Sequence, residues 1–414
     1  MITPFTNRSS LETEWSSWAG PKQLPVRTLT EPFPNRGLRQ TFDAALALRR
    51  PAGITRIADI SGLDEIGLPV VSVVRPNSRS MSVSSGKGTT DLEARVSGVM
   101  EALELFHAEE FSDWLPFGEV SHLAAAPDLG GFPKSVRPGG RCQTDSLPRM
   151  TVGFDLFSGV QAAVPFDLVH ADFSTESVRN NDGFLVSSNG LGGGSSSGEA
   201  IAHGLCEAVE GDAVALYRTS SPDSFSRIAW DSVEDPTVCR LLEACRIRGV
   251  SAAAWDITTD VMVPAFYCRL VERSKGPSSL ASSTDGAGCH PDPAVALRRA
   301  FMEAIQTRVL LVSGARDDIR PRFYSARSPA SEDRGTESRF PAETGCRRPS
   351  ADGMIGFILE RLEDAGFSRA VTVDLKSKSP ELAFARVVVP GLEGFPHSRG
   401  YRPGARATKA RLRS

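Results

Sequence analysis

Apolar and polar positions along the chain follow two periods, one typical of helices and one typical of buried strands. The segment FDAALALRR at 42–50 predicts a helix, and the apolar run GLPVVSVVR at 67–75 predicts a buried strand. Short apolar runs separated by Gly, Pro and Asp predict antiparallel strands within 118–173. Further strands are predicted at 250–256, at 261–271 and, as a pair, within 370–389. The fold class expected is therefore α/β (α+β) with mixed, mostly antiparallel sheets.

A twelve-residue phrase with a helical pattern occurs three times. The copies are EARVSGVMEALE at 93–104, EAIAHGLCEAVE at 199–210 and VALRRAFMEAIQ at 295–306, and they align without a gap. The second position is Ala, the sixth is Gly or Ala, and the ninth is Glu in every copy. Because the ninth and twelfth positions are three residues apart, their side chains share one helical face. These positions carry Glu101, Glu104, Glu207, Glu210, Glu303 and Gln306. We predict that the three helices converge and bring them together.

Such a gathering of carboxylates requires cations. Two like charges about 4 Å apart repel by roughly 4 kcal/mol at an effective dielectric constant near 20. Mg²⁺ and Ca²⁺ take oxygen ligands, whereas zinc more typically uses Cys or His, and the acidic positions of the repeats are neither. The alternative is a set of amphipathic helices with acidic edges in solvent. Three copies with matching flanks favour a magnesium site.

Each copy follows a loop rich in small residues. The loops are SRSMSVSSGKGTTD, SSNGLGGGSSSG and SSTDGAGCHPDP. Helix starts are marked by capping residues, namely Thr90 with Glu93, Ser196 with Glu199, and Asp292 with Pro293. A small-residue loop before a helix N-terminus can wrap around phosphate, and Lys87 adds an ammonium group, although the Walker A spacing is absent. Together with the carboxylates, the loops predict a nucleotide triphosphate held by Mg²⁺.

Composition excludes several classes of protein. The 414 residues carry a formal net charge of −3, with 40% apolar and 23% charged content, so no nucleic-acid partner is indicated. No apolar window of about twenty residues and no signal peptide are evident, which predicts a cytoplasmic protein without a membrane segment. The seven cysteines are scattered without a CxxC pair, so neither a disulfide framework nor a zinc knuckle is indicated. Cys206 and Cys268 lie in apolar runs and are predicted to be packing residues.

The order of segments predicts four regions. Residues 1–40 form a polar leader, and residues 41–318 form a core with the three loop–helix repeats. Residues 319–352 are rich in Arg, Ser, Pro and Glu and are predicted to be a flexible insertion. Residues 353–414 complete the domain and end in a basic tail whose final residues are expected in solvent.

The phrases of the chain resemble the YcaO family. They are LDEIGLPVVSVVRPNSRSMSVSSGKG, SNGLGGG followed by EA and EAVE, GAGCHPDPAVALRRAFMEAIQTR followed by SGARDD, VVVPGLEG and YRPGARA. The resemblance covers roughly residues 42–318 and 387–407, and the last two phrases resemble members encoded with TfuA proteins. It implies ATP-dependent modification of a peptide backbone amide, in which a nucleophile adds to the carbonyl, ATP phosphorylates the amide oxygen and phosphate leaves. A neighbouring Cys, Ser or Thr side chain as nucleophile gives an azoline, and external sulfide gives a thioamide.

The resemblance also implies roles for individual residues. The implied metal ligands are Glu101, Glu104, Glu207 and Glu210. The implied ATP contacts are Lys87, Ser97, Ser195, Glu199, Arg308 and Arg316. Glu104, Glu207, Glu303 and Gln306 are the implied catalytic residues. Arg308 and Arg316 fit a role as ion-pair residues equally well.

The chain also departs from the family pattern. Leu105 and Gly211 stand where many members have Arg, and Ser195 stands where they often have Asn. The PxPxP terminus typical of azoline-forming members is absent, which favours thioamide formation on a peptide or protein with a TfuA-like partner that supplies sulfide. The alternatives are an azoline-forming cyclodehydratase and a degenerate scaffold that only binds a peptide or partner. The resemblance is also compatible with a homodimer.

Overall fold

The computed structural model describes residues 35–120, 129–134, 147–179, 181–272, 283–316, 335–347, 349–397 and 400–413. These residues form two compact units. Unit 1 contains the described residues of Glu104–Ala215 and Pro349–Lys409. Unit 2 contains those of Glu31–Leu103, Leu216–Arg348 and Ala410–Ser414.

The helices vary from one turn to six. They are α1 (Asn35–Ala47), α2 (Asp91–Glu110), α3 (Phe117–Val120), α4 (Thr175–Arg179), α5 (Ser197–Thr219), α6 (Pro236–Ile247), α7 (Pro293–Ser313), α8 (Ala351–Asp364) and α9 (Ala405–Arg413). The unit boundaries fall inside α2 and α5.

Unit 1 contains one sheet, and its strand order is β4-β5-β13-β14-β7, with β6 also paired to β5. All of these pairs are antiparallel. The strands are β4 (Leu115–Pro116), β5 (Arg149–Asp155), β6 (Gln161–Pro165), β7 (Leu191–Gly194), β13 (Val371–Asp374) and β14 (Ala383–Val388).

Unit 2 contains two sheets, one ordered β1-β2-β3 and the other β11-β10-β9-β8-β12. The strands are β1 (Arg56–Asp59), β2 (Val70–Val74), β3 (Val83–Lys87), β8 (Ser226–Ile228), β9 (Val250–Asp256), β10 (Ala265–Glu272), β11 (Ser283–Cys289) and β12 (Glu337–Ser338). Only the short β8–β12 pair is parallel among these. Side chains from α6, α7, β2, β9 and β10 form one apolar core, with Phe266 and Phe301 fully buried in it. The expected mixed architecture with antiparallel sheets is confirmed.

Most predicted elements are present with shifted ends. The helix predicted at 42–50 is α1, the strand predicted at 67–75 is β2, and the strand predicted at 250–256 is β9. The strand predicted at 261–271 begins later, as β10, because the chain first makes a turn in which Met262 has a φ of 57°. The three repeat helices are α2, α5 and α7, and the strand pair near the C-terminus is β13 and β14. The predicted packing cysteines, Cys206 and Cys268, are fully buried.

The small-residue approaches to the repeat helices are the main correction. They were expected to be loops, but each contains a strand, β3, β7 or β11, which only two or three residues separate from the helix that follows. Each of these strands pairs with a neighbour along its whole length. Glycine and serine have low strand propensity, so the sequence pattern favours a loop where the neighbouring strands impose extended backbone.

Two further expectations concern the C-terminal third. Much of the predicted insertion at 319–352 lies outside the described residues, and its described part contains β12 and the start of α8. The basic tail forms α9, in which Thr408, Lys409, Arg411 and Leu412 are exposed, whereas Arg406, near the start of the helix, is partly buried. Its guanidinium makes two hydrogen bonds of 2.9 Å to the fully buried carboxylate of Asp212, a partner 194 positions earlier in the chain.

Among the helices of the described residues, none combines the length and the apolar character that a membrane-spanning segment needs.

Candidate functional site

A strand–helix unit is built three times with the same close approach. Gly86 of β3, Gly192 of β7 and Gly288 of β11 each lie against the backbone of the helix that follows. A Cβ at any of them would overlap the carbonyl oxygen of the second repeat position and crowd the amide nitrogen of the sixth. The helix residues concerned are Ala94 with Gly98, Ala200 with Gly204, and Ala296 with Ala300. The repeat seen in the sequence is therefore a repeat of local structure.

In two copies, the Glu at the first position of the repeat accepts hydrogen bonds at the N-terminus of the helix. In α5, Oε2 of Glu199 accepts hydrogen bonds of 2.7 Å from the amide and the hydroxyl of Ser195. In α2, Oε2 of Glu93 accepts bonds of 2.5 Å from the same two groups of Thr89. The predicted capping hydroxyls also act, because the amides of Glu93 and Glu199 donate to the hydroxyls of Thr90 and Ser196 at 3.3 and 3.2 Å. Ser195 and Glu199, both predicted ATP contacts, therefore already bond to each other.

Two predicted metal ligands of unit 1 face one imidazole. Nδ1 of His203 lies 3.5 Å from Oε1 of Glu104, and Nε2 lies 3.4 Å from Oε1 of Glu207. Burial alone would lower the pKa of His203, but the hydrogen bonds and charges of the two carboxylates outweigh it and raise the pKa to about 9. At neutral pH the imidazolium therefore lies between the two carboxylates and offsets one of their two negative charges.

Sequence reasoning missed His203, although a signal was present. It occupies the fifth position of the second repeat, and the other copies have Ser97 and Arg299 there. All three are polar and lie one turn before the conserved ninth position of the phrase, on the same helical face. A comparison of the copies position by position predicts that this residue belongs with the acids.

The four predicted metal ligands have the oxygen donors that a hard cation prefers, but the described side chains are not arranged as a metal site. Glu104 and Glu210 are each 8% exposed, Glu101 and Glu207 are partly exposed, and all four offer carboxylate oxygens, which Mg²⁺ prefers. Within the described ranges, no three His, Cys, Asp or Glu side chains are arranged to hold a metal ion. The ligand chemistry matches magnesium, while the space between Glu104 and Glu207 is taken by His203.

A second polar cluster lies in unit 2. Nζ of Lys87 lies 3.1 Å from Oε2 of Glu303 and 3.0 Å from Oε1 of Gln306. Nε2 of Gln306 donates to Oγ of Ser85 at 2.8 Å, so β3 and α7 are joined by side chains. The structure thus brings together three of the predicted residues, from segments more than 200 positions apart. The convergence of all three acidic helices on one site remains a prediction.

The two predicted arginine contacts differ in their surroundings. The guanidinium of Arg308 lies 3.2 Å from a carboxylate oxygen of Asp64 and 3.1 Å from Oε2 of Glu272. Its side chain is 13% exposed, so this is a partly buried ion-pair network. Arg316 is partly exposed and follows Gly314, the left-handed residue that ends α7. The ion-pair alternative accounts for the geometry of Arg308.

The departures from the family pattern have local consequences. Leu105 is 2% exposed, so an arginine there would require room for a buried charge. A Cβ on Gly211 would overlap the side-chain amide of Asn189. Ser195 uses its hydroxyl in the cap of α5.

Comparisons with known proteins place the chain in a family. A family model described as a YcaO cyclodehydratase that binds ATP and Mg²⁺ matches residues 85–393. The chain belongs to the YcaO family. The match spans all three strand–helix units, and ATP and Mg²⁺ are the cofactors described for this domain.

Individual relatives and solved structures are similar to this chain over most of its length. A protein of Rhizobium leguminosarum bv. trifolii, named for its place in the tfuA 3′ region, is 34% identical over 380 residues, which are 86% of this chain and 87% of the relative. A solved heterocyclase in complex with substrate and cofactor has a TM-score of 0.72 at 19% identity over 90% of this chain. The matched region is 54% of that heterocyclase. YcaO from Methanopyrus kandleri, bound with AMPPCP and Mg²⁺, has a TM-score of 0.61 at 22% identity over 88% of this chain and 93% of its own. At these identities the solved structures establish a shared fold.

Proposed function

We propose that this YcaO protein activates a backbone amide of a ribosomally made peptide or of a protein, using ATP and Mg²⁺, and that it forms a thioamide. The observation that carries the activation step is the pair Glu104 and Glu207, which face each other across a cation within the family's ATP- and Mg²⁺-binding domain. When bound, MgATP supplies the phosphoryl group that turns the amide oxygen into a leaving group.

In this proposal the carboxylates hold the metal. Glu104, Glu207, Glu101 and Glu210 would supply oxygen ligands, and His203 would leave the space between the first two. Without a metal, the imidazolium offsets one of the two carboxylate charges and reduces their repulsion, and a divalent cation in its place would offset both.

The nucleotide contacts are proposed from the strand–helix units. Lys87, Ser195 and Glu199 lie at or near the starts of α2 and α5, where amides and positive dipole ends favour phosphate. Ser97 lies in the second turn of α2 and would contribute through its hydroxyl. Arg308 and Arg316 would contribute only if their guanidinium groups reached the phosphates. For Arg308, that requires release from the two carboxylates that now hold it.

The remaining proposed catalytic residues form a positioning pair. Glu303 and Gln306 hold the ammonium of Lys87 at about hydrogen-bond distance, which fixes a positive charge beside α7. A fixed cation stabilises charge that develops during phosphoryl transfer without further reorganisation.

Glutamine variants test the metal assignment. Glu104→Gln and Glu207→Gln each remove a carboxylate charge with almost no change in volume, so we expect loss of ATP turnover with the fold retained. Glu363→Gln is the matched control, since Glu363 is exposed on α8 and should turn over ATP at the wild-type rate. Phosphate release and thermal unfolding are measured on each variant. Wild-type turnover in either site variant would exclude this assignment.

Thioamide formation is favoured by the similarity to the tfuA-region protein. The partner in this proposal is a TfuA-like protein that delivers sulfide. Replacement of oxygen by sulfur adds about 16 Da to a peptide, whereas cyclodehydration removes about 18 Da, so intact mass identifies the product. The family description as a cyclodehydratase keeps azoline formation as the second candidate, and a loss of mass would establish it.

A degenerate binding scaffold is motivated by Leu105, Gly211 and Ser195. Calorimetry with MgATP separates it from an enzyme. A scaffold with a dead site gives no nucleotide-dependent heat, whereas the proposed enzyme binds and then hydrolyses the nucleotide.

A further inference from the structure

A small cavity of unit 1 has a buried arginine in its wall. The cavity has a volume of about 30 Å³. Its lining is mostly apolar, with Leu168, Leu185 and Leu392 among the side chains, and includes the polar residues Ser187 and Arg386. No residue of the proposed metal or nucleotide site contributes to this lining.

The guanidinium of Arg386 makes few hydrogen bonds for a charged group that is so deeply buried. It lies on β14, inside the sheet, and is 2% exposed. Nη1 donates to the carbonyl oxygen of Ser187 at 2.9 Å, and Nη2 lies 3.5 Å from its hydroxyl, at the outer limit of a hydrogen bond. Nε is buried and has no partner in the part of the chain that the structure describes. The guanidinium therefore has one strong hydrogen bond for five N–H groups.

A counter-charge is also missing among the described residues. The acid in the cavity lining is Glu393, and its carboxylate accepts hydrogen bonds from the hydroxyl of Tyr401 and the amides of Gly404 and Ala407. Its oxygens therefore face the start of α9. Burial lowers the pKa of Arg386 to about 9, and the side chain is still charged at pH 7. A buried charge without a partner is costly, and such groups are normally paired.

We propose that this cavity binds one small anion, a carboxylate group or a halide, which pairs with Arg386. Size decides the class of ligand. One water-sized site needs roughly 10–15 Å³, so the cavity has room for two or three non-hydrogen atoms. A carboxylate or a chloride fits that space. The planar guanidinium matches a carboxylate through paired N–H groups.

Occupation of the cavity would stabilise unit 1. The carbonyl of Ser187 that Arg386 holds lies just before the turn into β7, where the amide of Leu191 bonds back to the carbonyl of Ser188. An anion that binds only the folded state raises the unfolding midpoint in proportion to the logarithm of its concentration above its Kd. This site is independent of the proposed enzymatic activity.

Thermal unfolding in a series of sodium salts at constant ionic strength tests the site. We expect formate and chloride to raise the midpoint by several degrees relative to gluconate, which is too large for the cavity. The variant Arg386→Met should lose this difference, whereas Arg246→Met, at an exposed arginine of α6, should keep it. Equal midpoints in all three salts, or the same salt effect in Arg386→Met, would overturn the proposal.

A bromide-soaked crystal gives a direct measurement that does not need a variant. An anomalous peak beside Arg386 supports the site, and an empty cavity in a crystal with bromide at other arginines overturns it. If Arg386→Met does not fold, this crystal decides the question alone. A short peptide with a free C-terminal carboxylate is then compared with its amide. Loss of bromide with the free acid only identifies a peptide carboxylate as the ligand, and retention with both identifies a free inorganic anion.

Discussion

The substitution Gly192→Ala tests whether the second strand–helix unit depends on backbone contact. Gly192 lies in the middle of β7, and its Cα hydrogens face α5. A Cβ there would overlap the carbonyl oxygen of Ala200 and lie 2.7 Å from the amide nitrogen of Gly204. Both atoms belong to the helix backbone, which cannot move aside as a flexible side chain can.

The cost follows from the separation that the new methyl group requires. Ordinary contact begins at 3.4 Å and the ideal Cβ lies 2.1 Å from the oxygen of Ala200, so β7 and α5 must move apart by more than 1 Å at this contact. Overpacking of this kind costs about 1–3 kcal/mol, and a gap of 0.5–1 Å forfeits a quarter to a half of the dispersion energy of the atoms that lose contact. We expect Gly192→Ala to lower the free energy of unfolding by about 3 kcal/mol. The corresponding shift in unfolding midpoint is roughly 6–12 °C.

Urea unfolding followed by circular dichroism measures the effect, with Gly356→Ala as the control. Gly356 is an exposed residue of α8 with no atom near its would-be Cβ, so alanine should stabilise the helix by about 0.5–1 kcal/mol. Gly86→Ala and Gly288→Ala should each behave like Gly192→Ala, because the same two helix positions are involved. Stability of Gly192→Ala within about 0.5 kcal/mol of wild type would refute the reasoning, since the cost of overpacking starts above that.

Three further measurements test other features. Burial and the charge of Arg299 lower the pKa of His290 to about 3. The free energy of unfolding should therefore be greatest above pH 6.5 and fall as the pH drops towards 3, by at most about 2 kcal/mol at pH 5. The variant His290→Asn should flatten this part of the pH–stability profile. Asp235→Ala removes the N-cap of α6 and a 2.8 Å ion pair, and its urea midpoint should report a loss of about 2 kcal/mol. Arg406→Met leaves the buried carboxylate of Asp212 without its cation, so the free energy of unfolding should fall by about 3–5 kcal/mol in the same assay. A decrease below about 1 kcal/mol would show that the ion pair is dispensable.

The sequence predicts the local structure of the repeats well because their signals are short in range. Capping residues such as Ser196 and Asp292 act within one helical turn and have the predicted role. The strands before the helices could not be predicted in the same way, since Gly192 has no side chain to reveal a pleated surface. The glycine is required by a contact with α5, and the extended backbone is imposed by β14.

The partners of charged residues depend on long-range contacts and were largely beyond sequence reasoning. Nothing near Lys87 in the sequence identifies Glu303, which is 216 positions away. Arg308 resembled a phosphate contact because the family motif includes it, yet Asp64 and Glu272 flank it. His203 was also missed, although its position in the repeat, one turn before Glu207, is visible in the sequence.

The two polar clusters revise the electrostatic reasoning that first suggested a metal. Repulsion between carboxylates requires a cation, but the cation need not be external. In unit 1 the imidazolium of His203 lies between Glu104 and Glu207, and in unit 2 the ammonium of Lys87 lies beside Glu303. Glu104, Glu207 and Glu303 therefore each have an internal partner that a ligand must replace or share. The affinity for Mg²⁺ then depends on the free-energy difference between the carboxylates paired with their internal cation and the carboxylates bound to the metal. An estimate that counts only the repulsion among the acids therefore overestimates this affinity.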